Sequence, residues 1–485
     1  VNHIPPPERR HLSIAVIGTG IAGMSAAWLL DKRHRVTVYE QNPRIGGHSN
    51  TVDAPSGRGL VPVDTGFIVY NERNYPNLMA LFDHLDVPTK ASEMSFSASL
   101  GDGAFEYAGT DFNGLLGQRS NIVRPRFWRM MRDVMRFYRE APAALTDPRT
   151  AGLSLGEYLR RENYGRAFIN DHLLPMGAAI WSTTAPEMED YPVRAFIRFF
   201  DSHGLLLVKN RPQWRTVDGG SREYVNRLTA SYRERIRLCG VRSVKRVGNK
   251  VIVEDHGGDR ATYDHVVIAA HADEAFRMLA DADNFERSLL GVWRYTKNRA
   301  VLHSDANLMP KRRRVWSSWN FIEGEKSDVD PSLCVTYWMN RLQSIDPETS
   351  LFVTLNPVRE PVAETVFREF EYTHPFFDRA ALNSQRNLWS LQGHRRTWYC
   401  GSYFGYGFHE DALQSGLAVA EQLGGIRRPW TVEEENGRIH VTGKRASVAH
   451  DAAIGHLRGH GRPRTRAPET PSPPPFGVHI AARLG

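Results

Sequence analysis

With 485 residues, 41% of them hydrophobic and 24% charged, the chain is long enough for two globular domains around a deep internal site. No apolar run approaches the roughly 20 residues that span a bilayer, Val1 to Arg10 lacks the greasy stretch of a signal peptide, and Cys239, Cys334 and Cys400 are too scattered for a disulfide framework or a zinc site. The net charge of +8 does not by itself choose among nucleic acid, an anionic membrane and an acidic substrate; a cytoplasmic protein is expected.

Residues 1–11 read as a loose arm, and Leu12 to Ile17 as a buried parallel strand. Gly18-Thr19-Gly20-Ile21-Ala22-Gly23 is a GxGxxG turn that follows this strand and opens a helix from about Ile21 to Leu30. Arg35 to Glu40 alternates as a second strand and completes a βαβ unit. The missing side chains let the backbone approach a pyrophosphate, and the helix N-terminus supplies N–H donors. Glu40 stands where a carboxylate accepts hydrogen bonds from a ribose, and it would repel the 2′-phosphate of NADP, which leaves NAD and FAD.

Mixed short elements run from Phe67 to about Gln118, then a helix from Arg124 to Ala141, with Pro125 in its first turn and Pro142 past its end. Phe127, Trp128, Met131, Val134, Met135 and Tyr138 fall on one arc, and Arg129, Arg132, Arg136 and Arg139 on the other. Two readings stand: a helix lying on an anionic membrane, with Phe127, Trp128, Arg129, Met131 and Arg132 facing it, or a core helix with solvated arginines.

Val241 to Val247 and Lys250 to Asp255 form a hairpin around Gly248-Asn249, and His265 to Ala270 is a further apolar strand. Trp293 to Thr354 reads as an antiparallel sheet, the expected substrate domain. A helix spans Asp411 to Leu423, and beyond about Ala446 the His, Arg and Pro content predicts disorder. The expected fold is α/β: a Rossmann-type domain from 12–66, 216–292 and 398–424, with a second α+β substrate domain from a helical region 67–215 and a mixed or antiparallel sheet 293–397.

Arg44-Ile45-Gly46-Gly47-His48-Ser49-Asn50-Thr51, followed by Val63-Asp64-Thr65-Gly66-Phe67, resembles the flavin amine oxidase and phytoene desaturase superfamily. Val217-Asp218-Gly219-Gly220-Ser221, the strand Val241 to Val247 and the run from Gly401 to Ala412 extend the resemblance over residues 12 to about 424. It implies FAD as the cofactor, held by the glycine turn, Glu40, Gln41, Arg44, Gly46, Gly47, His48, Ser49, Asp64, Thr65, Gly66 and Phe67. It extends that set to Val244, Gly401, His409, Glu410, Asp411 and Ala412. Tyr406 and Phe408 become candidates for the wall facing substrate, and Asp411 stands where the family has a glycine. His409 reads either as a cap or cofactor contact or as a base; the catalytic residues stay unassigned.

More narrowly, GGHSNT, VDTGFIVYNERNYPNL and GSYFGYGFHEDALQSG are similar to a bacterial branch that accompanies enzymes methylating or cyclopropanating phospholipid acyl chains, and that includes a flavin-dependent desaturase of furan fatty acid formation. The resemblance implies a desaturase or oxidase acting on an acyl chain, peripheral at the inner membrane face, with a lipid methyltransferase as partner and no nucleic acid. Amine or polyene oxidation, and a redox-silent flavin protein in a lipid-modifying assembly, are the alternatives.

Overall fold

Five parallel strands build the sheet that carries the nucleotide motifs, in the order Ile236–Arg237, Arg35–Tyr39, Ser13–Ile17, His265–Ile268, Thr397–Tyr399. They belong to a computed structural model that describes residues 11–57, 59–181, 184–323 and 334–441, within one unit of the chain. The arm before His11 and the tail beyond Ala446 lie outside the described residues. Val16, Val38, Val266 and Val267 are fully buried, as expected for parallel strands covered on both faces. The chain returns to this sheet from three distant stretches, so the central strands are neighbours in space but not in sequence.

The helix Ile21–Asp31 packs along the helix His409–Gly424. Contact is close because Gly416 lacks a side chain: a Cβ there would sit 2.2 Å from the Ala22 carbonyl oxygen. Gly425, in the left-handed region at φ 62°, ends the second helix.

A seven-stranded mixed sheet forms the other layer, in the order Val366–Phe376, Arg294–His303, Phe352–Leu355, Cys334–Trp338, Trp319–Ile322, Phe96–Leu100, Phe105–Ala108. All neighbours are antiparallel except Trp319–Ile322 beside Phe96–Leu100. The region 67–215 is therefore not purely helical, since it donates the last two strands of this sheet.

The helix expected over Arg124 to Ala141 spans Pro125–Glu140, but its buried face differs from the predicted arc. Phe127, Met130, Val134 and Phe137 point inward, at the i, i+3, i+7, i+10 spacing of a core stripe, and Trp128 and Met135 are each half exposed. The helix carries two adjacent apolar stripes, and contacts with Phe105, Tyr164 and Phe168 select the one containing Phe127 and Phe137. Phe127 is thus a core residue and not a membrane-facing one. Arg136 is also withdrawn from the predicted basic face: it lies 3.8 Å over the Tyr164 ring and donates to the Glu162 carbonyl at 2.8 Å. Arg129, Arg132 and Arg139 remain exposed, and Met131 is half-buried.

Candidate active site

The glycine turn closes as its residue types demand. Gly18 takes φ +104°, and a Cβ on it would lie 2.6 Å from the Ala269 carbonyl oxygen; at Gly23 a Cβ would lie 2.0 Å from the Gly18 oxygen. A Cβ on Gly20, by contrast, would meet nothing within 4 Å, because this residue faces a cavity. No side chain caps the helix that starts at Ile21, so its first N–H groups are free toward the same space.

The cavity, of about 380 Å³, brings together Gly20, Ile21, Ala22, His48, Thr65, Gly66, Phe67, Gly401, Tyr406, Phe408, His409 and Ala412 from the predicted set. Phe408 stacks at 5.0 Å on Phe199, which stacks at 3.8 Å on His203. Thr65 Oγ1 donates to the Asn50 carbonyl and meets the Tyr372 hydroxyl at 2.8 Å. The lining also includes Met94, Phe96, Met176, Ile180, Trp319 and Leu355, an apolar set, and Tyr138 from the basic helix.

The other predicted residues surround this cavity without lining it. Glu40 is buried, its Oε2 accepting from the Thr19 amide at 2.9 Å and from the Thr19 hydroxyl, and its Oε1 from the Asn42 amide at 2.8 Å and Asn42 Nδ2 at 3.0 Å. Those donors fill its lone pairs, so a ribose diol would reach this carboxylate by displacing one of the two side-chain donors. Gln41 is exposed, and Gly240 packs beside it. Arg44 lines a smaller neighbouring hollow with Asn50, Arg222 and Arg233. Gly46, at φ +113°, donates its N–H to the Thr19 carbonyl, and the space beside Gly47 is taken by Gly20.

Four expectations change once contacts are known. Asp64 is consumed by protein donors, the Thr51 hydroxyl at 2.6 Å, Ser221 N–H at 2.9 Å and Gln343 Nε2 at 3.0 Å; it pins the first motif to the Gly219-Gly220-Ser221 turn and has no capacity left for a cofactor. Val244 gives its carbonyl to Ala280 N–H, and the strand end beside Gln41 is Gly240–Val241. Glu410 turns away from the cavity to accept from the N–H groups of Asn77 and Leu78 at 3.1 and 3.0 Å, capping the helix Pro76–His84. Asp411, in place of a glycine, accepts from Phe408 N–H at 2.8 Å and caps its own helix.

Sequence reasoning placed His48 and His409 at the cofactor but missed His374 and Tyr372 beside them in the cavity wall. Tyr372 and His374 alternate along the strand Val366–Phe376 and so share a face, a period-two signal present in the sequence. His48 stacks on Tyr372 at 5.1 Å and lies 5.4 Å from His374. Burial holds the His48 imidazole well below its ordinary range and lowers His374 to about 4, His203 to about 3 and His409 to about 3, so all four rings are neutral at pH 7. His374 Nδ1 accepts from Asn298 Nδ2 at 3.1 Å, and that amide is oriented by Asn356 donating to its oxygen, so the network assigns the proton of His374 to Nε2. Nε2 of His48 and Nε2 of His203 are buried without a hydrogen-bond partner among the described residues.

A glycine turn open to a cavity and an uncapped helix N-terminus at its edge fit a flavin dinucleotide; fold and site define an FAD-dependent oxidoreductase. The profile of the flavin containing amine oxidoreductases matches residues 21–307, and the chain belongs to that family. Zeta-carotene desaturase from Zea mays is 52% identical over 48 residues, which span 9% of this chain and 8% of that protein. Among solved structures, a CLA-producing fatty acid isomerase from P. acnes superposes with a TM-score of 0.59 at 15% identity, over 85% of this chain and 98% of that one. Putrescine oxidase gives 0.61 at 15% identity, over 85% and 99%. Cyclohexylamine oxidase from Brevibacterium oxydans IH-35A gives 0.61 at 14%, over 85% and 100%. At these identities the likeness establishes the fold. Among the described residues no helix is long and apolar enough to cross a membrane, and no His, Cys, Asp and Glu cluster suits a metal ion.

Proposed function

We propose that the protein desaturates or oxidises the acyl chain of a membrane lipid, working as a peripheral protein at an anionic surface. The observation that carries this reading is the cavity: the glycine turn, a set of apolar side chains and Tyr138 line it together, and none of its lining residues among the described ones is a carboxylate. A saturated chain needs such a wall and no polar partner, since each buried CH₂ contributes about 0.8 kcal/mol. An amine substrate would call for an aromatic cage in a small pocket, for which Tyr406 and Phe408 are the candidates, so amine oxidation is the second reading.

FAD supplies the two-electron acceptor when bound. The chain's own residues do the rest. The apolar lining excludes water and holds the substrate, one hydrogen leaves a substrate carbon with its electron pair, and the neighbouring carbon loses a proton. His48 and His374, neutral rings that both line the cavity, are the candidates to take that proton, and His374 Nε2–H can donate a hydrogen bond.

Membrane contact is supported by a revised face of the basic helix. Trp128, Met131, Met135 and Tyr138 form a second stripe, and Trp128 Nε1 donates to the Ile122 carbonyl at 2.8 Å, joining the exposed Ile122 and Val123 to it. Arg129, Arg132 and Arg139 flank this stripe, the composition of an interfacial helix. The stripe ends at Tyr138, which also lines the cavity.

Mass spectrometry of total lipids from cells with and without the protein tests the reading. Loss of two hydrogens from an acyl chain, in plain or methylated lipids, is expected. An unchanged lipid profile would overturn the reading, in favour of amine or polyene oxidation if the bound FAD can be reduced and of the redox-silent alternative if it cannot; an effect confined to methylated chains would make a lipid methyltransferase the upstream partner.

A further inference from the structure

One formal charge borders the cavity. Among its described lining residues Arg211 is the one Arg, Lys, Asp or Glu, and it is also the exposed member of the lining. The loop holding Leu205, Arg211 and Trp214 sets all three on the wall shared with Tyr138, whose hydroxyl lies within the field of the Arg211 charge. Arg211 Nε–H donates to the Leu207 carbonyl at 2.7 Å, which fixes the base of the guanidinium. Its two terminal nitrogens have no carboxylate partner among the described residues, whereas Arg126 and Arg136 nearby in sequence to Tyr138 are paired with Asp171 and Glu140.

An unpaired guanidinium at the rim of an apolar cavity is placed to receive an anion. Its planar fork matches the two oxygens of a carboxylate or a phosphodiester, and its location at the exposed end leaves the apolar wall to the rest of the ligand. We infer that Arg211 anchors the anionic head of an amphiphile whose chain lies in the cavity. This rests on the acyl-chain reading above and extends it: the head stays at the rim, the tail enters first, and the oxidised carbons are counted from the head group. The anion is either the carboxylate of a free fatty acid or the phosphodiester of a phospholipid.

Equilibrium titrations of the FAD-loaded protein, followed by the change in the flavin absorption bands, test the anchor with three probes: palmitate, hexadecan-1-ol and a soluble short-chain phosphatidylglycerol. Parent, Arg211→Gln and Arg211→Lys proteins are compared. A charge-assisted hydrogen bond makes at least one anionic probe bind the parent about tenfold or more tightly than it binds Arg211→Gln. Hexadecanol should bind both alike, and Arg211→Lys should keep part of the preference. Preference for palmitate assigns the free acid, and preference for phosphatidylglycerol assigns the phospholipid; either supports the anchor. Unchanged affinity of Arg211→Gln for both anions, with hexadecanol still binding, overturns the anchor and leaves the acyl-chain reading standing. If none of the three amphiphiles binds the parent, the acyl-chain reading falls and the anchor with it.

Discussion

His409 lies flat against Phe67, with ring centroids 3.8 Å apart and planes 8° from parallel. His409 Nε2 meets Ser49 Oγ at 3.1 Å and the Tyr224 hydroxyl at 2.9 Å, so one side chain joins the run from Arg44 to Thr51, the segment ending at Phe67, the helix after the Gly219-Gly220 turn and the helix His409–Gly424. Pieces separated by up to 360 positions meet at one imidazole. Its neutral state follows from burial, and neutrality suits a ring stacked on a phenyl face and bonded to two hydroxyls.

Replacing His409 by Ala should therefore loosen the cofactor site as a whole. The loss of an aromatic pair and of a partner for two buried hydroxyls should cost about 1–3 kcal/mol of stability. The ratio of flavin to protein absorbance after purification should fall with the melting temperature. A variant that melts lower yet keeps full FAD occupancy would show that the stack serves folding alone.

Glu40 bears on cofactor affinity. Although Thr19 and Asn42 satisfy it, Glu40 is the acid that the motif offers to the ribose, so Glu40→Gln should weaken FAD binding about tenfold or more. Titration of the apoprotein with FAD checks this. FAD should leave intact on denaturation, since the nearby thiol of Cys400 is buried and pushed out of its reactive range.

On the basic helix the two apolar stripes make opposite predictions. Phe127→Ala removes a fully buried ring and should destabilise by about 3–5 kcal/mol, whereas Trp128→Ala, at a half-exposed site, should cost much less. Trp128→Ala together with Met135→Ala should reduce sedimentation with anionic liposomes while leaving the flavin spectrum unchanged. Equal sedimentation of this variant and the parent would remove the helix from the membrane proposal.

Acid should unfold the protein early. His203 and His409 are lowered to about 3, and His172, His303 and His374 to about 4, each by burial. As pH falls through about 6.5, the unfolded chain protonates these rings and the folded one does not; the stability present above 6.5 is lost toward pH 4, at most about 1.4 kcal/mol per histidine per pH unit. Asp64 and Asp411, raised to about 6 by burial, act in the opposite sense between about 4 and 6. Five histidines with larger shifts outweigh them. The melting temperature should drop steadily from pH 7 to pH 5, and a flat or rising profile over that range would contradict the burial of these rings.

Local spacing determined the βαβ unit, the glycine turn, the acid at Glu40 and the helix over Pro125–Glu140 to within a residue at each end, because strand and helix periods and glycine's access to positive φ are written in neighbouring residues. Two kinds of question needed the tertiary structure. Periodicity marks stripes on a helix but not which stripe is covered; Phe105, Tyr164 and Phe168 decided that for Phe127 against Trp128. A motif marks a carboxylate but not its partner; Asn77 and Leu78, more than 330 positions away, turned Glu410 into a helix cap, and the pairing of Val366–Phe376 with Arg294–His303 carried Tyr372 and His374 to His48. Such pairings depend on long-range contacts whose energies are set by burial and geometry, and no window of sequence contains both partners.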